Sequence, residues 1–256
     1  MYVDVVDFPE SEVVLAPLGD VQVGADYAKD TLRRFVDKAT DKGARFIGMG
    51  DYVDVTNPSS RRALSGARLA DTLWASMEAK AEEHIDEFCE TIKSTQGRWV
   101  GLLGGHHFFP FRDGTTSDTR IAWSLGASYL GDNSALLIIR TPFRDYRVLA
   151  FHGEGSSSSP AGALRRLEGL AAGFNADLVL MAHHHKLAAT KRDKLCYSGV
   201  GDEISHETQT LVCTGSFVKG YIEGPGTYVE RKMLPPVTLG GALVYLHRNG
   251  EIGVEL

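Results

Sequence analysis

Six of the nine histidines in this 256-residue sequence fall in three places: His106–His107, His152 and His183–His184–His185. Histidine is usually scattered over the surface or satisfied singly in the core, so such clustering asks for a shared task. Each cluster follows an apolar run of strand length, and two earlier runs of the same kind lead into Asp20 and Asp51. With their near neighbours, the polar residues at these ends are Asp20, Gln22, Asp51, Asp54, His106, His107, His152, His183 and His185. Carboxylates and imidazoles together suit borderline divalent cations such as Mn, Fe, Zn, Co or Ni. One carboxylate can bridge two ions, and two ions about 3.5–4 Å apart can hold a phosphoryl group and activate water for in-line attack.

Taken singly, each residue has a plainer explanation. An aspartate after a strand is often a turn or a helix cap. His152 alone reads as a hydrogen-bonded core histidine, and His183-x-His185 as the exposed side of a strand edge. What lifts the set above these readings is its position at the ends of successive elements.

Those elements are legible from periodicity. Strands are expected at 12–18, 44–49, 99–103, 135–140, 146–151 and 177–181, with helices at 26–41, 68–94, 117–125 and 160–172. The long helix would bury a stripe of Leu69, Leu73, Met77, Ile85, Phe88 and Ile92. Beyond about residue 190 the pattern turns to short strand-like segments at 194–198, 208–214, 227–232 and 242–247. Alternation followed by a strand-rich tail predicts an α/β fold. The expectation is one domain over 1–256, a four-layer α/β/β/α sandwich of two mixed sheets flanked by helices, with a core at 12–190 and a strand-rich part at 191–256. Ligands of open α/β sheets gather at the carboxyl ends of strands, which is where these side chains lie.

In order and spacing the motifs resemble the calcineurin-like metallophosphoesterase superfamily, whose pattern runs D-x-H, G-D-x-x-D, G-N-H-[DE], H and G-H-x-H. Here it reads Asp20-Val21-Gln22, Gly50-Asp51-Tyr52-Val53-Asp54, Gly105-His106-His107-Phe108, His152 and Ala182-His183-His184-His185. The resemblance implies one cation held by Asp20, Gln22, His185 and a bridging Asp51, and a second held by Asp51, His106, His152 and His183. It implies His107 as the proton donor to the leaving oxygen, with Asp54 hydrogen-bonded to it. An alternative register aligns His106 with the catalytic histidine and leaves the second cation one ligand short. Gln22 stands where the family usually has histidine, His106 where it has asparagine, and Ala182 where it has glycine. Glycines and aromatics between Gly215 and Pro236 resemble the C-terminal region of phage and prokaryotic members.

The function implied is dimetal hydrolysis of phosphate esters, diesters above monoesters because a retained His107 can protonate a poorer leaving group. Nucleic acid, a cyclic nucleotide or another small diester are all open as substrates. The alternative is a binding scaffold on the same fold without turnover, which Gln22 and His106 would favour. A metal-dependent hydrolase of non-phosphate substrates fits the ligands but not the motif order. A net charge of -6 weighs against a protein that tracks long duplexes by basic surface alone. The acidic start, the lack of a bilayer-length apolar run and three scattered cysteines lead to the expectation of a soluble cytoplasmic protein with free thiols, no membrane partner and an open oligomeric state. His84, beside Glu82 and Glu83, is expected in solvent, and His184 in solvent or behind the ligands. The segment 153–159 is expected as a linker or as a mobile loop over the metals. Arg165 and Arg166 are expected on a solvated helix face or at a substrate phosphate.

Overall fold

The structure is a computed structural model that describes residues 1–65, 70–198, 203–224, 226–231 and 233–256. In chain order these form β1 (Tyr2–Asp7), β2 (Val13–Leu18), α1 (Lys29–Asp41), β3 (Arg45–Gly48), α2 (Pro58–Ser65), α3 (Asp71–Thr91), β4 (Trp99–Leu102) and α4 (Ser117–Ser124). There follow β5 (Ser134–Arg140), β6 (Asp145–Phe151), α5 (Pro160–Ala171), β7 (Leu178–Met181), β8 (Leu187–Ser198) and β9 (Glu203–Ser216). The chain closes with α6 (Tyr228–Arg231), β10 (Gly240–Gly241), β11 (Leu243–Leu246) and β12 (Ile252–Glu255).

Two mixed sheets result. One runs β1-β5-β6-β7-β9-β10 with β8 paired to β9, and the other runs β12-β11-β2-β3-β4. Within them β2, β3 and β4 are parallel neighbours, as are β6, β7 and β9. The layering follows from side-chain alternation along the strands. On β2, Leu15 joins the apolar layer between the sheets, while Ala16 and Leu18 face α1 and α3. On β7, Leu178 and Leu180 enter the same middle layer, while Val179 and Met181 face α5. Three apolar layers separate four structural ones: helices, sheet, sheet, helix. α1 is amphipathic for the same reason, burying Leu32, Phe35, Val36 and Ala39 at three- and four-residue steps.

The structure departs from the periodicity reading in several places. β1 was not anticipated: it is an edge strand with Tyr2, Val3 and Val5 exposed, so apolar alternation hardly marks it. Between the expected strand at 44–49 and the expected helix at 68–94 lies an unanticipated helix, α2, in which Asn57 Oδ1 accepts the Ser60 N–H at 2.8 Å and Pro58 occupies the first turn. Arg68 and Leu69, at the expected start of the long helix, lie outside the described residues. Leu73 is 50% exposed and Met77 half-buried, whereas Ile85, Phe88 and Ile92 are buried as expected, joined by Ala81, His84 and Thr91. The expected strand at 227–232 is instead the short helix α6, capped by Thr227 Oγ1 accepting the Glu230 N–H; Lys232 lies outside the described residues. Among the described residues no helix is long and apolar enough to cross a membrane.

Candidate metal centre

The loops after β2, β3 and β4 are laced together by backbone hydrogen bonds. Asp20 N–H donates to the Gly50 carbonyl, and Val21 and Gln22 N–H both donate to the Asp51 carbonyl, each at 3.0 Å. Asp20 Oδ2 accepts the His183 N–H at 2.7 Å, which ties the end of β2 in one sheet to the end of β7 in the other. The Asp20 carbonyl accepts the Phe217 N–H and the Ser216 hydroxyl, so the glycine- and aromatic-rich tail begins as the backing of this turn. Gly105 permits the closest approach: a Cβ there would sit 2.2 Å from both the N and the Oδ1 of Asp51.

Five candidate donors hold strained backbone. Asp20, Gln22, Asp51, His183 and His185 have φ of 48°, 54°, 55°, 65° and 53°, and among the described residues Met233 is the one other non-glycine with positive φ. Left-handed backbone costs an L-residue about 1–2 kcal/mol, and such strain concentrates where function demands it. Ala182, in the place of the motif glycine, lies outside that region, so its side chain carries no left-handed backbone penalty.

Hydrogen bonds decide which ring nitrogens remain bare. His152 Nδ1 lies 2.7 Å from the Met49 carbonyl, which fixes the proton there and leaves Nε2 free, 3.4 Å from Asp51 Oδ2. His183 Nε2 lies 2.8 Å from the Gly155 carbonyl, so its free nitrogen is Nδ1, which faces His106 Nδ1 at 3.2 Å. His107 Nδ1 meets Asp54 Oδ1 at 2.8 Å, turning Nε2 toward Asp51 Oδ2 at 3.9 Å. Among the described residues two groups of three donors form, the ligand atoms within each lying within 4.8 Å of one another: His106, His152 and His183, and Asp20, Asp51 and His152. His185 Nε2 stands 3.6 Å from Asp20 Oδ1, and the Gln22 amide 3.5 Å from Asp51 Oδ2. Of the two registers, this places His106 among the clustered nitrogens and His107 beside Asp54.

The electrostatics of this cluster call for positive charge. Burial, opposed by His152 and helped by Asp51, raises the Asp20 carboxyl to about 7. Burial would raise Asp51 as well, but the charge of His152 and the N–H groups around it hold that carboxyl far below the usual range. Burial would lower His152, yet Asp51 and Asp20 lift it to about 9. Burial lowers His183 and His185 to about 4, keeping both neutral. For His107, the penalty of burial is outweighed by the hydrogen bond it donates to Asp54 and the charge of Asp51, and its pKa rises. Among the described residues, Asp20 Oδ1 and His152 Nε2 are buried with no hydrogen-bond partner, each facing only an ion-pair neighbour, His185 at 3.6 Å and Asp51 at 3.4 Å. The neutral imidazoles of His183 and His185 beside carboxylates fit divalent cations, and a cation would displace the proton that Asp51 and Asp20 hold on His152.

Other expectations need correction. His84 is buried, not solvated: it packs where a Cβ on Gly24 would come within 2.4 Å of its Cε1. His184 is buried as well, which removes only the solvent alternative of the two expected for it, and its Nε2 lies 3.0 Å from the Glu154 carbonyl. With His183 bonded to Gly155, two histidines anchor the start of the 153–159 segment. Sequence reasoning missed Asp118, which is fully buried and accepts the Gly105 N–H at 2.9 Å. Its place in the first turn of a helix reads as an ordinary dipole-stabilising acid, so nothing local marked it.

No protein-family model and no curated protein matches this chain. Solved structures do resemble it. A single mutant of Vps29 from Entamoeba histolytica aligns at 12% identity and TM-score 0.45, covering 95% of this chain and 97% of that one. Wild-type Vps29 from the same organism, complexed with zinc, aligns at 11% identity and TM-score 0.41, over 95% and 97%. A conserved uncharacterized protein from Streptococcus pneumoniae, described as a predicted phosphoesterase, aligns at 12% identity and TM-score 0.37, over 95% and 96%. What the site can do follows from its own donors.

Proposed function

We propose that this chain is a metallophosphoesterase of the calcineurin-like type, hydrolysing phosphodiesters with two divalent cations. The observation that carries this reading is the pair of buried donor atoms with no hydrogen-bond partner among the described residues, Asp20 Oδ1 and His152 Nε2, whose residues form a three-donor group with Asp51. Buried polar atoms are otherwise almost always satisfied, and two cations would satisfy them, one at Asp20 and the other at His152. Asp20, Gln22, His185 and Asp51 would hold one ion, and Asp51, His106, His152 and His183 the other. Bound there, the ions would supply Lewis-acid activation of the phosphate ester and of the attacking water.

The protein groups then divide the remaining work. Asp51 is held by the His106 and His107 N–H groups on Oδ1, leaving Oδ2 turned to the donors. His107 keeps its Nδ1 proton on Asp54, so in the charged ring Nε2–H is the proton available to a leaving oxygen. A raised pKa keeps that charged form populated. A proton donor matters more for the poorer leaving group of a diester, which is why diesters, including nucleic acid and cyclic nucleotides, are preferred here.

The test is to strip the protein with chelator, restore Mn, Zn, Ni, Co or Mg in turn, and compare bis- with mono-nitrophenyl phosphate. Metal-dependent hydrolysis of the diester above the monoester supports the proposal. Preference for the monoester overturns the substrate class. Hydrolysis of neither, with metal bound, supports the binding scaffold.

A further inference from the structure

The turn from Gly105 to Phe108 carries both His106 and His107, and it is gripped at each end by a charged side chain outside the motif set. At the first end, Asp118 Oδ2 accepts the Gly105 N–H at 2.9 Å, and Oδ1 accepts the Ser117 hydroxyl at 3.2 Å. Asp118 is 1% exposed, unlike an ordinary acid in a helix first turn, and has no ion pair among the described residues. At the other end, the Phe108 carbonyl accepts from Thr56 Oγ1 at 2.8 Å and from Arg61 Nη1 at 3.0 Å. The same Arg61 nitrogen reaches the Thr56 carbonyl at 2.7 Å, and the guanidinium lies 4.0 Å over the centre of the Phe108 ring. Between these ends, the His106 and His107 N–H groups close on Asp51 Oδ1.

The two helices that supply the grips, α4 and α2, contribute no candidate metal donor. Burying a carboxylate is costly, so a bare helix start would be better served by almost any small polar residue on stability grounds alone. What Asp118 supplies is a side-chain oxygen that accepts the Gly105 N–H, which asparagine would reproduce and alanine would not, fixing the exit direction of the two histidines that follow. We propose that Asp118 and Arg61 are positioning residues that clamp the Gly105–Phe108 turn, so that His106 is held toward His183 and His107 toward Asp54. This rests on the phosphoesterase reading for its kinetic consequences, but not for its structural ones.

The experiment compares Asp118→Asn, Asp118→Ala and Arg61→Met with the parent protein, each loaded with Co(II). The visible Co(II) spectrum, the melting temperature, and kcat and KM on bis-nitrophenyl phosphate are measured together. An asparagine can still accept from Gly105 and donate to Ser117, so Asp118→Asn should keep the parent spectrum and rate. Asp118→Ala should shift the Co(II) bands and lower kcat at least about tenfold with KM little changed, the mark of displaced groups rather than weaker binding. Arg61→Met tests the far end independently and should lower kcat likewise. Parent-like kcat and spectrum in folded Asp118→Ala and Arg61→Met overturn the proposal, as does an Asp118→Asn variant as impaired as the alanine. Absence of hydrolysis in the parent protein defeats the phosphoesterase reading instead, while the Co(II) spectra still decide the clamp.

Discussion

The Nδ1 atoms of His106 and His183 face each other across 3.2 Å, one carried at the end of β4 and the other at the end of β7, in different sheets. The Gly155 carbonyl takes the Nε2 proton of His183, and burial with the neighbouring His152 and His106 charges holds that ring near a pKa of about 4. With its Nε2 proton committed to Gly155, His183 can only accept at Nδ1, so His106 Nδ1–H donates across the sheet–sheet boundary, and a cation replacing that proton would find both nitrogens together only in the folded chain. Cation binding should therefore stabilise the fold. At a free metal concentration about 100 times its Kd the gain is about 2.7 kcal/mol, or roughly 5–10 °C in melting temperature for a chain of this size. Thermal melts with chelator and with Mn or Zn check this, and His183→Ala should lose at least half the gain.

The His107–Asp54 pair separates chemistry from metal binding. His107→Ala should lower kcat by about 10²–10⁴, with bound metal by elemental analysis within error of the parent protein. Asp54→Asn should lower kcat less, since the imidazole remains but loses the carboxylate that raises its pKa. Loss of metal in His107→Ala would move that residue into the ligand set.

Gln22 is the weakest expected donor: its Nε2 donates to Asp51 Oδ2 at 3.5 Å, so the amide would have to turn its oxygen to a cation, where an imidazole would bind a borderline ion more tightly. Gln22→His should lower the Kd of the looser of the two ions by about tenfold or more, read by calorimetric titration. Its φ of 54° is one histidine accepts elsewhere in this same site, at His183 and His185. An unchanged or weaker affinity would remove position 22 from the coordination sphere.

Asp177 should give the fold an acid-sensitive component remote from the metals. Its carboxylate takes three hydrogen bonds from Arg147, at 2.7, 3.0 and 2.9 Å, fastening the start of β7 to β6 and so aligning the strands that carry His183 and His152. Burial alone would raise its pKa, but the Arg147 bonds hold it below the usual range. Stability from a depressed carboxylate is complete above the unfolded pKa of about 4 and is lost as pH falls through the lower folded value. Asp177→Asn should therefore cost about 1–3 kcal/mol at neutral pH, by urea unfolding. The difference from the parent protein should narrow once pH drops below about 4. A cost that persists unchanged at pH 2–3 would assign the effect to packing.

The layer order and the strand ends were legible because burial on both faces writes unbroken apolar runs such as Leu178–Met181, and a polar residue directly after such a run has little to do but face a site. What stayed hidden depends on contacts distant in sequence. β1 is an edge with one partner, so its side chains need no apolar alternation. His84 is buried only because Gly24, sixty residues away, leaves room for it. Asp118 looks like a helix-start acid until Gly105 is placed above it. Even the candidate donors were visible as residue types, while their left-handed backbone was not.

The most direct measurement is anomalous scattering from crystals grown with Mn. Two peaks about 3.5–4 Å apart, with the Asp51 carboxylate between them and His152 and His183 on one side, are the predicted result. A single peak would reduce the centre to one ion. No peak within reach of Asp51 would contradict the dimetal site and the hydrolysis that depends on it.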